Sequence, residues 1–263
     1  MKKSLRLTET AVMLALGFIL SMLKIIDMPF GGSVTAFSML PIILIAYRHK
    51  TAWGLLAGFA ASILQMLSGM NNLTYATSAA AMIAIIFLDY IIAFTAMGLG
   101  GIFRGKIKDQ GTAVALGALA ACAVRYLCHV ISGCTAWEGV SIPSSDALVY
   151  SLIYNAAYMI PETVITVVGA YFAGKVFSLT GEQIKRVPLD NRSARNLVSA
   201  VPAAIAVVIS FVFIFAMIQT DEGFDITAIT LAGIFDWIPV IVLILVGVAA
   251  TIFIKKNAFK EKE

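Results

Sequence analysis

The chain alternates long apolar runs with short polar or basic segments. The runs cover 7–25, 36–47, 52–67, 78–102, 112–131, 148–177, 197–218 and 226–254. A helix needs about 20 mainly apolar residues to cross the hydrocarbon core, and most of the runs approach that length. The second and third are short for a full crossing. The pattern predicts an all-α integral membrane protein of about eight spans. A six-helix body occupies 1–179, a polar and basic linker containing Pro188 occupies 180–196, and a C-terminal transmembrane hairpin with a basic tail occupies 197–263.

Composition agrees: 60% of residues are hydrophobic and only 13% charged, about half the charged share usual in soluble domains. The placement of charge matters more than its sum of +4, which carries no case for a nucleic-acid partner. With the N-terminus in the cytoplasm, every Lys and Arg except Lys24 and Arg125 falls at a cytoplasmic end. Asp27, Glu138, Asp146, Asp221, Glu222 and Asp225 fall in the opposite connections. Basic loops face the cytoplasm, so both termini are expected there. Lys2, Lys3 and Arg6 before the first run read as the flank of a retained helix, not of a cleaved leader. Cys122, Cys128 and Cys134 lack metal-type spacing and are expected to pack as small apolar residues.

Some polar residues interrupt the apolar runs. An ionised side chain at mid-bilayer costs about 2.5 to 3.5 kcal/mol on insertion scales, so each asks for a partner. Cys122, Arg125, His129 and Ser132 share one helical face, as do Ser151, Asn155, Tyr158 and Glu162, with Tyr154 beside them. These stripes must face each other or a common cavity. Asp89 in the fourth run lies at a compatible depth. The expected pocket is lined by Asp89, His129, Tyr150 and Asn155 and roofed by Trp137, which lies with Pro143 in the connection.

Packing roles compete with this reading. Asp89 and Arg125 would make a plain ion pair, Asn155 would serve as interhelical glue, and Trp137 and Tyr150 would serve as interfacial anchors. Glu162 would bond backbone groups freed by Pro161, and Asp236 beside Trp237 reads as interfacial. A carboxylate among the faces of Tyr75, Tyr90, Trp137 and Tyr150 suits a flat heteroaromatic cation. Two further patterns bear on function. The stretch GAYFAGK (169–175) lacks the Ser/Thr of a phosphate-binding loop, has Val176 instead, and ends an apolar helix. Ala11 and Ala15, continued by Gly17, give the first helix a small-residue face that another helix can approach closely.

The segments TETAVMLALGFILS, SMLPIILIAYRH, FLDYIIAF, RYLCHVISG, AWEG and VYSLIYN follow one another over 7–179 in an order and spacing that resembles the ThiT family. That family is the thiamine-specific substrate-binding (S) component of bacterial energy-coupling factor transporters. The resemblance implies a thiamine-binding subunit of the bacterial cell membrane that is not an enzyme and carries no cofactor. Its implied partners are a transmembrane coupling protein and two cytoplasmic ATPase subunits, which hydrolyse the ATP. The family's thiamine site falls on Asp89, Tyr90, His129, Trp137, Tyr150 and Asn155, with Tyr75 a looser counterpart. Its contact face for the coupling protein falls on Ala11 and Ala15, and its lid on 27–36 with Gly31 and Gly32. Two departures stand out. Asp89 replaces the family's usual Glu, which shortens the reach by about 1.5 Å, one C–C bond. The hairpin at 197–263 is additional to the six-span core. The same scaffold binding a hydroxymethylpyrimidine-type precursor, and an autonomous secondary transporter, are the alternative readings.

Overall fold

A computed structural model describes residues 3–28, 31–140, 142, 144–189, 191–220, 223–225 and 227–257. Pro143, Asp221, Glu222, Lys2, Lys260 and Lys262 fall outside these. The chain divides into two compact units, 1–185 and 186–263.

In the first unit, helix α1 spans Lys3–Met22 and gives way to an antiparallel hairpin, β1 (Lys24–Asp27) and β2 (Ser33–Thr35). Helix α2 spans Leu40–His49, α3 Thr51–Ser68, and a 3₁₀ turn Met70–Tyr75. Helix α4 spans Ala79–Gly101, α5 Gln110–Thr135 and α6 Ala147–Val176. Among the described residues, seven helices are long and apolar enough to cross a bilayer. The chain is a multi-pass, mainly helical membrane protein.

Helix α2 is the exception to the expected pattern. Its 10 residues rise about 15 Å, half of a core about 30 Å thick. Two local events shorten it. The segment before it is spent on the hairpin, and Lys50 takes a left-handed φ of 74° that breaks the chain before α3. Its last turn folds inward: Arg48 is 5% exposed and grips Glu9 of α1 through Nε (2.6 Å) and Nη2 (2.7 Å). Arg48 Nη1 also donates to the carbonyls of Leu179 (2.9 Å) and Gly181 (3.1 Å), which ties the end of the body to its first two helices.

Glycines set the closest helix approaches. A Cβ on Gly117 of α5 would lie 2.3 Å from the carbonyl oxygen of Gly100 in α4, and one on Gly133 would lie 2.0 Å from Ser151 Oγ of α6. Small residues let backbones meet where lipid supplies no hydrophobic drive between helices. Outside the spans, Asp109 caps α5 by accepting from Thr112 N–H (2.8 Å) and pairs with Lys175 near the end of α6.

Helix α4 changes winding along its length. It is α-helical from Ala79, π-helical over Ile85–Ile92, and 3₁₀ over Ala96–Gly101. The π stretch contains Asp89 and Tyr90. Its i→i+5 bonding places more residues in each turn, so consecutive side chains diverge by a smaller angle. Two adjacent residues can then serve one wall.

The second unit consists of α7 (Asn191–Ile218), a short α8 (Thr227–Leu231) and α9 (Ile234–Asn257). Helix α7 starts six residues before the expected 197. Helices α7 and α9 meet where Gly247 abuts Ala206, with a would-be Cβ 2.5 Å from the alanine methyl. Outward side chains such as Leu245 and Val246 are exposed and apolar, as lipid contact requires. Asp236 accepts the Gly233 N–H at 2.8 Å, so it also organises the start of α9.

Candidate ligand-binding site

The first unit encloses a cavity of about 480 Å³, within the range of roughly 300 to 1,000 Å³ usual for small-molecule sites. Its walls come from the polar stripes of α5 and α6, the π segment of α4, the ends of α1 and α3, and the hairpin.

Asp89 is the hub. Its Oδ1 meets His129 Nδ1 at 2.8 Å, and its Oδ2 accepts from Ser132 Oγ (2.6 Å) and Trp137 Nε1 (2.9 Å). A carboxylate offers about four lone-pair sites, so Oδ1 keeps capacity for one further donor. His129 is fixed from its other side by Arg125, whose Nε–H donates to Nε2 at 3.2 Å. A guanidinium can only donate. Nε2 therefore accepts, and this network assigns the ring proton to Nδ1, aimed at Asp89. The direct Asp89–Arg125 ion pair of the competing packing reading does not form, because His129 stands between the two. Arg125 pairs instead with Glu162 (Nη1 to Oε2, 3.1 Å) and lies 4.6 Å over the Phe94 ring.

Asn155 is buried among partners. Its Nδ2 donates to Ser151 O (2.9 Å), Ser151 Oγ (3.1 Å) and His129 O (3.3 Å), and its Oδ1 accepts from Tyr158 Oη (2.6 Å). It thus bonds α5 to α6 and also lines the cavity. Tyr90 lines it too, with its hydroxyl donating to Gly69 O (2.9 Å) and accepting from Asn72 Nδ2 (3.1 Å). Trp137 is 8% exposed, and Tyr75 packs on it at 5.9 Å between ring centroids.

Asp89, Tyr90, His129, Trp137 and Asn155 thus converge on one cavity. Tyr75 and Tyr150 are not among its lining residues. Tyr75 packs on Trp137, which does line the cavity. Tyr150 sits in the first turn of α6, one turn beyond Tyr154, and it is Tyr154 and Tyr158 that line the wall. Gln65 and Asn72 also line the cavity, and the pattern of polar stripes does not reveal them. Their signal is modest: Gln65 is the lone amide in an apolar run, and Asn72 belongs to a polar break between runs.

The hairpin covers one side of the cavity through Gly31, Gly32, Ser33 and Thr35. Gly31 has a φ of 103°, and a Cβ there would lie 2.4 Å from the Asn72 amide nitrogen. Gly32 lies against Tyr158, at 3.0 Å for a would-be Cβ. Glu162 does bond backbone, but that of the hairpin and not of its own helix: Oε1 accepts from Thr35 N–H at 3.0 Å.

Ala11 and Ala15 are both exposed on α1, whereas Gly17 turns inward against Ser38 O. Gly17 therefore does not continue that outer face. GAYFAGK lies in the helical final turns of α6, with no loop to cradle a phosphate.

Residues 7–178 match the family described as Thiamine transporter protein (Thia_YuaJ). The chain is 33% identical over 175 residues to the thiamine transporter ThiT of Bacillus subtilis strain 168, covering 62% of this chain and 87% of that protein. It is 29% identical over 182 residues to ThiT of Lacticaseibacillus paracasei, covering 64% and 85%. The solved structure of ThiT from Listeria monocytogenes superposes with a TM-score of 0.55 at 20% identity, over 66% of this chain and 96% of that one, a likeness of fold. The family match ends before the second unit begins. With the family matched across its six-helix body, the chain belongs to the Thia_YuaJ family of thiamine transporter proteins.

Proposed function

We propose that this protein captures thiamine at the outer face of the bacterial cell membrane, as the substrate-binding subunit of an ATP-driven uptake system. The observation that carries the reading is the charge balance around the cavity. Lys24 is paired with Asp27 (2.8 Å) and Arg125 with Glu162 (3.1 Å), which leaves Asp89, among the described residues, the one carboxylate of the wall without a Lys or Arg partner. Thiamine carries a permanent thiazolium charge and two flat rings. Asp89 serves as counter-charge, and the indole of Trp137 and the rings of Tyr90, Tyr154 and Tyr158 offer faces or edges to the heterocycles. His129 and Asn155 fix the geometry of the wall. Tyr75 backs Trp137, and Tyr150 guards the rim.

In this reading both termini are cytoplasmic, and 1–179 is the thiamine-binding body, joined through the linker at 180–196 to the hairpin of 197–263. The exposed Ala11 and Ala15 face the transmembrane coupling protein, and two cytoplasmic ATPase subunits supply the energy. The family membership and the enclosed polar site in the body support this assignment.

The test is calorimetric titration of the purified protein with thiamine in detergent. Wild type is expected to bind and Trp137→Ala to bind at least tenfold more weakly, about 1.4 kcal/mol. Equal affinity in the two would remove the site assignment. Tighter binding of an aminopyrimidine lacking the thiazolium would favour the precursor reading. Thiamine uptake by the chain alone in proteoliposomes would favour a secondary transporter.

A further inference from the structure

We infer that Glu162 is a positioning residue that makes the docking of β2 and the arrangement of the ligand site a single event. Glu162 is 2% exposed. Its Oε1 takes the Thr35 N–H (3.0 Å) and the Thr35 hydroxyl, and its Oε2 takes Arg125 Nη1 (3.1 Å). The Thr35 hydroxyl has one proton, which goes to the carboxylate because a carboxylate only accepts. Ser38 Oγ, 2.6 Å away, then donates to Thr35 Oγ1. The ladder explains why Thr35 is available. Register shifts between Lys24 and Ile26, and at this irregularity Thr35 directs its N–H to Glu162.

From Glu162 the chain of bonds runs on without a gap. Arg125 donates to Glu162 through Nη1 and to His129 through Nε, and His129 gives its other ring nitrogen to Asp89. A hairpin residue and the hub carboxylate are thus joined through three buried or half-buried side chains.

Undocking β2 strips Oε1 of both Thr35 donors. A buried carboxylate left with an unsatisfied oxygen is costly. The nearest remedy is Arg125, whose planar fork can serve both oxygens at once. Turning to do so withdraws its Nε–H from His129. The imidazole then loses the contact that holds its proton on Nδ1, and Asp89 loses a fixed donor. The coupling is reciprocal: a ligand that needs Asp89 and His129 in place favours docked β2, and docked β2 favours the ligand. A free-standing packing role for Glu162 would predict no such traffic.

The inference uses the thiamine reading only for its ligand, and the test has one arm without it. In the ligand-free full-length protein, hydrogen exchange followed by mass spectrometry reads the amides of 33–36. Glu162→Gln is expected to speed exchange there at least tenfold. Arg125→Lys, which touches no atom of Thr35, is expected to slow it severalfold, because lysine lacks the fork that would satisfy both oxygens of Glu162 once β2 leaves. Unchanged exchange in Arg125→Lys overturns the coupling. In the second arm, thiamine dissociation is timed in Thr35→Val, Arg125→Lys and the double variant. Each single change is expected to raise the rate about tenfold, and the double to fall well short of their product. A full product overturns the proposal. Should wild type bind no thiamine, the functional reading fails and the exchange arm still decides this one. Should Glu162→Gln not fold, Thr35→Val removes one of the same hydrogen bonds from the other side.

Discussion

Replacing Asp89 with Asn is the sharpest probe of the site, because it removes the charge and keeps the shape. Two costs follow. The first is local. Asp89 accepts from His129, Ser132 and Trp137, which occupy both carboxylate oxygens. Asn offers one oxygen and one NH₂, so at least one of these donors faces another donor. A buried unsatisfied polar group costs about 1 to 3 kcal/mol. The second cost is the lost attraction to a fixed cation. Unit charges 4 Å apart interact by about 4 kcal/mol at an effective dielectric of 20. Desolvation in the wild-type complex offsets part of that, which leaves on the order of 1 to 2 kcal/mol. The local cost falls on free and bound protein alike and reads out as lost stability, so thiamine binding is expected to weaken by the charge part, about 1 to 2 kcal/mol, or roughly 5- to 30-fold. The assay is calorimetric titration with thiamine and with a neutral analogue whose thiazolium is replaced by an uncharged ring. Any distortion of the wall weakens both ligands equally, and the charge cost applies to thiamine alone. The expected result is a selective loss for thiamine of about tenfold beyond the analogue. Equal losses for the two ligands would refute the counter-charge argument and leave Asp89 an organiser of its neighbours. Wild-type affinity for both would refute the site.

Gly31→Ala is expected to loosen the hairpin, since its φ of 103° disfavours a side chain and the Asn72 amide lies 2.4 Å from the new methyl. A severalfold faster ligand dissociation and a cost of about 1 to 3 kcal/mol in a ligand-free melt are the expected outcomes, and an unchanged protein on both counts would argue against close hairpin packing. Asp109 gives a pH prediction outside the spans. Burial pushes its carboxyl up, but hydrogen bonds from Lys175 and Thr112 and the charge of Lys175 outweigh this and hold it below its usual value of 3.8. A depressed carboxylate contributes stability above the unfolded pKa and loses it as pH falls through the folded one. The α5 cap and its tie to α6 are therefore intact from neutral pH to about pH 5 and weaken below about pH 4. Melting curves of wild type and Asp109→Asn should converge as pH is lowered into that range, and a difference that persists undiminished would contradict the assignment.

Much of the fold and of the wall is legible in the residues themselves. Run length marks the helices, and the three-and-four spacing of Arg125, His129 and Ser132 against Ser151, Asn155 and Tyr158 marks two facing stripes. The rest comes from events that periodicity does not encode. The second apolar run reads as a short span, but its first four residues, 36–39, form the turn that follows the hairpin, and α2 keeps 10 residues. Arg48 reads as a loop charge, yet Glu9 and three carbonyls beyond the last body helix draw it inside. The π winding over Ile85–Ile92 has no distinctive residue pattern. Tyr150 groups with the site in the sequence by its depth in the run and by the family resemblance, and neither says which way its ring turns.

The bonding inside the wall bears on how a ligand is read. Both nitrogens of His129, the amide of Asn155, the hydroxyl of Tyr90 and the indole N–H of Trp137 are already engaged within the protein. A wall built this way has few spare donors or acceptors to match against a ligand's edge. It can offer a rigid shape, aromatic surface, one uncompensated negative charge and the remaining lone pair on Asp89 Oδ1. Selectivity then rests on ring shape and a fixed positive charge more than on many new hydrogen bonds. The shorter side chain of Asp89 fits this arrangement. An extra methylene would push the carboxylate about 1.5 Å past Ser132 and Trp137, so Asp89→Glu would have to break the hub before it could gain reach toward the ligand.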